Sequence, residues 1–176
     1  MKKTTKFIAS AVAAAALLIS SNLKAQTTEP AGDSHATRFG IGLSLGNATK
    51  DPWGFAIGGD LRLQKDFSSN VSGLLSAGYT NISVKDKFDG LGIDSYDLIP
   101  VKAGIKVFPV ERFYISGELG AGFGLDEGAK TSFIYAPGIG LGFNNGLDLG
   151  LRYEGYSVNN SNIGQVALRI AYGFRL

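Results

Sequence analysis

The chain has 176 residues, enough for one domain and too few for a second sizeable core. It contains no cysteine, which excludes a disulfide framework, a thiolate metal site and a lipid-modified cysteine. The 17 basic and 15 acidic residues look weakly basic, yet that balance is carried by the first segment and gives no argument for nucleic-acid binding.

That segment opens with Lys2, Lys3 and Lys6, followed by an apolar stretch from Ile8 to Ile19 and by Leu23-Lys24-Ala25. The pattern is that of a secretory signal peptide spanning residues 1–25, and it predicts export. Four lysines leave with it, so 13 basic residues then face 15 acidic ones and the exported part is weakly acidic. Residues 26–36 (QTTEPAGDSHA) are polar and aperiodic, and read as a flexible periplasmic lead-in.

From residue 37 to 176 the hydropathy alternates with period two, the mark of strands with unlike faces. The first run, 38–46, sets Phe39, Ile41, Leu43 and Leu45 against Arg38, Gly40, Gly42 and Ser44. The second, 53–63, sets Trp53, Phe55, Ile57, Leu61 and Leu63 against Gly54, Ala56, Gly58, Asp60 and Arg62. The third, 71–80, is weaker. The fourth, 96–108, opposes Ile99, Val101, Ala103, Ile105 and Val107 to Lys102, Gly104 and Lys106. The fifth, 113–124, opposes Ile115, Leu119, Ala121 and Phe123 to Tyr114, Ser116, Glu118, Gly120 and Gly122. The sixth, 132–143, opposes Phe133, Tyr135, Ile139 and Leu141 to Ala136, Gly138, Gly140 and Gly142. The seventh, 147–156, opposes Leu149, Leu151 and Tyr153 to Asp148, Gly150, Arg152 and Glu154. The eighth, 163–176, opposes Val166, Leu168, Ile170, Tyr172, Phe174 and Leu176 to Gln165, Ala167, Arg169, Ala171, Gly173 and Arg175.

Eight alternating runs joined by connectors that are short on one side (109–112, 144–146) and longer on the other (47–52, 81–95, 125–131, 157–162) predict a closed eight-stranded antiparallel up-and-down β-barrel. The composition of its two faces sets the orientation. The second face is rich in Gly, Ala and Ser, which a water-facing strand would not use. Inside a narrow barrel those residues make room for Tyr114, Arg152 and Arg169. The apolar face therefore looks at lipid, and the barrel is transmembrane. Buried charges need partners, so Asp60, Arg62, Lys102, Glu118, Arg152, Glu154 and Arg169 are expected to form an ion-pair network filling a polar lumen. Glu118 is expected to pair with some of Lys102, Arg152 and Arg169. Aromatics at the ends of the apolar face, chiefly Trp53, Phe55, Phe123, Tyr135, Tyr153, Tyr172 and Phe174, are expected at headgroup depth.

These features together resemble the small outer-membrane β-barrel proteins of the OmpA/OmpX-like, porin-like class, over roughly residues 37–176. The final strand, with alternating Val166, Leu168, Ile170, Tyr172, Phe174 and Leu176, resembles the C-terminal signal read by the barrel-assembly machinery, although the family usually ends in Phe. The resemblance implies a Gram-negative outer-membrane location, contact with outer-membrane lipids and lipopolysaccharide, and a non-enzymatic role in envelope structure or surface interaction; the long polar loop 81–95 is the candidate place for an extracellular ligand. The rival readings are a narrow porin-like channel or conduit for small hydrophobic molecules and, behind it, a lipid-modifying enzyme.

The residues offer little chemistry. Gly42-Leu43-Ser44-Leu45-Gly46 matches a nucleophile-elbow pattern, but no helix follows and the one histidine, His35, lies upstream. Asp86, Asp89 and Asp94 have oxygen-ligand character without the order of a calcium loop. No catalytic residue, metal site or cofactor is expected.

Overall fold

The computed structural model describes residues 36–85, 95–125, 129–158 and 161–176. The leader, nearly all of the lead-in with His35, and Asp86, Asp89 and Asp94 lie outside these residues. The strands are β1 (Thr37–Ala48), β2 (Trp53–Asp66), β3 (Val71–Val84), β4 (Ser95–Val107), β5 (Phe113–Gly124), β6 (Ser132–Gly142), β7 (Leu147–Val158) and β8 (Ser161–Arg175). Each pairs antiparallel with the next. β1 also pairs with β8, from Arg38 opposite Arg175 to Ala48 opposite Gln165, and the sheet closes on itself. Closure matters because a spanning sheet must satisfy every backbone donor and acceptor internally.

The short turns are built from local hydrogen bonds. In the β7 hairpin, Gly146 N–H donates to the Phe143 carbonyl at 3.0 Å and Leu147 N–H to Asn145 Oδ1 at 3.1 Å. Gly146 sits at φ 91°, in the region that suits glycine. Gly146→Val is expected to cost at least about 1 kcal/mol through backbone strain, read as a lower urea midpoint for the folded barrel.

Two prolines lie within paired strands. Pro100 faces Gly122 of β5, while toward β3 the pairing skips from Ala77–Val101 to Thr80–Leu98. Pro137 faces Gly117 of β5, while toward β7 the pairing skips from Tyr135–Gly155 to Gly138–Arg152. A proline has no N–H to give the ladder. The register on either side is unchanged.

The alternation survives in three dimensions. Leu45, Leu151 and Leu168 lie side by side across β1, β7 and β8 and point outward. Leu168 is 64% exposed, whereas its neighbour Arg169 is 4% exposed. Large apolar side chains are thus outside and charges inside, the inverse of a soluble barrel.

The strands run further toward the long-loop end than hydropathy suggests: β3 continues to Val84 and β7 to Val158. On β3 the outward positions there are Asn81 and Ser83. Asp97, outward on β4, accepts hydrogen bonds from Tyr79, Asn81 (2.8 Å) and Ser95 (2.8 Å). A ladder needs no lipid, so pairing continues where the outer face turns polar and alternation fades.

Candidate functional site

The interior has two storeys. The lower and middle parts are ionic. Near the short-turn end, Asp66 accepts hydrogen bonds from Arg38, from Gln64 at 2.9 Å and from Ser72 at 2.6 Å. Above it, Asp148 takes Lys106, the Tyr114 hydroxyl at 2.7 Å and, at 3.6 Å, Arg169. At mid-height Arg169 makes a two-pronged contact with Asp60, at 2.7 and 2.9 Å. Arg62 Nη2 lies 2.6 Å from Glu118, whose other oxygen accepts from Ser76 at 3.0 Å. Higher still, Glu154 accepts from Lys102, from the Tyr156 hydroxyl at 2.9 Å and from Gln165 at 2.7 Å, with Arg152 at 3.4 Å. Arg152 also donates to Ser44 Oγ at 2.9 Å.

Two of these pairs span the lumen. Arg62 and Glu118 belong to β2 and β5, and Lys102 and Glu154 to β4 and β7. Long side chains can cross because glycines face them. A Cβ on Gly42 would lie 2.4 Å from Arg169 Nη2, and one on Gly140 2.4 Å from the Tyr114 hydroxyl oxygen. All seven charged residues singled out from sequence are inward and buried. Their partners differ in one respect: Glu118 binds Arg62, while Lys102 and Arg152 gather on Glu154 and Arg169 on Asp60. Alternation assigns a face but not an azimuth around the barrel, so it could not choose among the cations.

Over the ionic storey sits an apolar one. Ala56, Ile82, Leu98, Ile134 and Tyr156 form a buried inner cluster at the long-loop end, with Ala48, Trp53, Tyr96 and Ile163 packed against it. The expectation of a uniformly polar lumen is corrected here. At this end apolar groups are buried inward while polar ones such as Asn81 and Asp97 face out. Between the storeys, the small gap beside Ser44, Thr80 and Gln165 does not admit a water-sized sphere.

The outer face carries most of the aromatics assigned to it. Phe55 and Phe123 are exposed, and Tyr135, Tyr153, Tyr172 and Phe174 are half-buried on the outward parity, with Tyr172 and Phe174 in edge contact at 4.9 Å. Trp53 is the exception and is not a lipid-facing ring. The β2–β3 register slips by one between Trp53 and Ala56, which reverses the side to which Trp53 points. Its ring packs on the inner cluster and meets Tyr96 at 5.8 Å.

Ser44, the centre of the elbow-like motif, lies inside a strand and is bonded to Arg152. Among the described residues no group of three metal-binding side chains occurs.

The sequence matches the family described as outer membrane protein beta-barrel domain over residues 11–175. No curated protein matches it. Among solved structures, Ail, the attachment invasion locus protein of Yersinia pestis, aligns with a TM-score of 0.58 at 20% identity, covering 81% of this chain and 100% of that one. The N-terminal β-barrel domain of Pseudomonas aeruginosa OprF aligns with a TM-score of 0.53 at 11% identity, covering 77% and 97%. A de novo designed transmembrane β-barrel gives 0.51 at 14% identity, covering 85% and 100%. At these identities the likeness concerns the fold.

Proposed function

Because this chain belongs to the outer membrane protein beta-barrel domain family, we propose that it acts in the bacterial outer membrane as a non-enzymatic barrel with a side-chain-filled lumen, serving envelope structure or surface interaction through its outer loops. The observation that supports this reading is the stack of an ionic storey under an apolar one. The bonds of Arg62 and Lys102 reach across the lumen to strands three places away, and Arg169 on β8 bridges over β1 to Asp60 on β2. Tyr156, Ile82, Leu98 and Ile134 close the space above them. A solute would have to displace paired charges or packed side chains, both costly inside a narrow barrel.

With the lumen closed to traffic, interaction falls to the loops, of which the β3–β4 connector, residues 85–94, is the longest. Export through a cleaved leader at 1–25, delivery by the assembly machinery through the last strand, and contact with lipopolysaccharide belong to the same reading. Protein refolded into planar bilayers is expected to show no stable unitary openings under an applied voltage. Steady single-channel steps from the pure, heat-modifiable protein would overturn the filled lumen in favour of a narrow channel.

A further inference from the structure

Among the described residues every side-chain carboxylate but one has a lysine or arginine within salt-bridge distance. The exception is Asp97, half-buried on the outer wall of β4 near the long-loop end. Its hydrogen-bond donors are all neutral. Oδ1 accepts from the Tyr79 hydroxyl and from Asn81 Nδ2 at 2.8 Å, and Oδ2 accepts from Ser95 Oγ at 2.8 Å. Three donated hydrogen bonds favour the charged form and fix the carboxylate in place. They leave room on it, since a carboxylate offers about four acceptor positions. Inside the barrel each buried acid is matched by a cation; on this wall an oriented anion is not.

Its neighbours are not those of a solvated surface acid. Ile99, the next outward residue below it on β4, stands opposite Phe123 of β5, and both are exposed. Leu125, just past β5, donates its N–H to the Asp97 carbonyl at 2.9 Å and is exposed as well. The apolar outer face therefore climbs, on the β5 side, to the level of the carboxylate. A charge at the margin of an apolar surface is screened less than one in open water, so a cation gains more there. The chemistry that complements both features is an amphiphile. Its cationic head must carry N–H donors for the open acceptor position, and its chains must lie along Ile99 and Phe123.

We infer that Asp97, set by Tyr79, Asn81 and Ser95 beside Leu125, binds the primary ammonium head of an outer-leaflet lipid. The inference rests on the membrane-barrel reading and deepens it. Phosphatidylethanolamine and phosphatidylcholine with the same chains carry equal charge, but only the first has N–H groups to donate. Titrated onto the folded protein in detergent and followed by native mass spectrometry, the first is expected to bind about tenfold tighter, the worth of one charge-assisted hydrogen bond. Asp97→Asn and, separately, Asp97→Ser are expected to abolish that preference. The boiled-against-unboiled gel shift shows that each protein is folded; its absence from the unaltered chain would count against the barrel itself. Equal binding of the two lipids by a protein that shows the shift, or a preference unchanged in both folded variants, would overturn the inference while leaving the barrel intact. Displacement of the bound lipid by soluble phosphoethanolamine at the same concentration would also overturn it, by showing that the chains contribute nothing.

Discussion

Replacing Glu154 by alanine is expected to be among the most damaging single changes in the barrel, at about 3–5 kcal/mol, the usual cost of leaving buried charges uncompensated. Glu154 is 1% exposed and is the carboxylate around which Lys102, Arg152, Gln165 and the Tyr156 hydroxyl are arranged. Without it two cations remain in a closed interior. Arg152 already has Nε and Nη1 without a hydrogen-bond partner. Glu154→Gln keeps the shape and some acceptor capacity, so it should lose less. Pairing Glu154→Leu with Lys102→Met removes one cation along with the acid, and should recover part of the loss seen for Glu154→Leu alone. The measurement is the urea concentration at which heat-modifiable migration disappears, for each variant refolded in the same lipid. A Glu154→Ala midpoint equal to that of the unaltered chain would mean that this network is not holding the barrel closed.

The second large effect tests which side faces lipid. Leu168 lies mid-strand on β8, flanked by Leu45 and Leu151, and is the most exposed of the three. In a bilayer, Leu168→Arg should destabilise by about 2–4 kcal/mol, the cost of an arginine near the midplane. Ser69→Arg, in an exposed short turn at the headgroup level, should cost no more than about 1 kcal/mol. If the face were water-exposed, Leu168→Arg would be nearly silent and would improve solubility. Equal folding efficiency of the two variants in vesicles would remove the main argument for membrane insertion.

Much of this architecture was legible because a barrel wall obeys one simple rule, and the rule fails where its cause does. Between the interfaces lipid demands apolar groups outside, so Leu168 and Arg169 declare their sides from sequence alone. Toward the loop end that demand lapses. Ile82, Leu98 and Ile134 turn inward, while Asn81 and Asp97 turn out. Polar residues on the lipid parity of β3 and β4 were the available signal that the strands had left the bilayer. Trp53 departs from the expected face for a different reason: a single slipped register reverses a side chain without altering composition, and nothing in the residue pattern betrays it. The pairing of Glu118 with Arg62 required knowing which strands stand opposite each other, which depends on the stagger of the closed sheet.

The seam between β1 and β8 joins the two strands most distant in sequence. Seven strands in order would leave two naked borders, and hydrocarbon offers nothing to hydrogen-bond them. Insertion is therefore close to all-or-none. A chain shortened before Ser161 has no stable intermediate in the bilayer to occupy, and its outward leucines become a liability in the compartment it crosses.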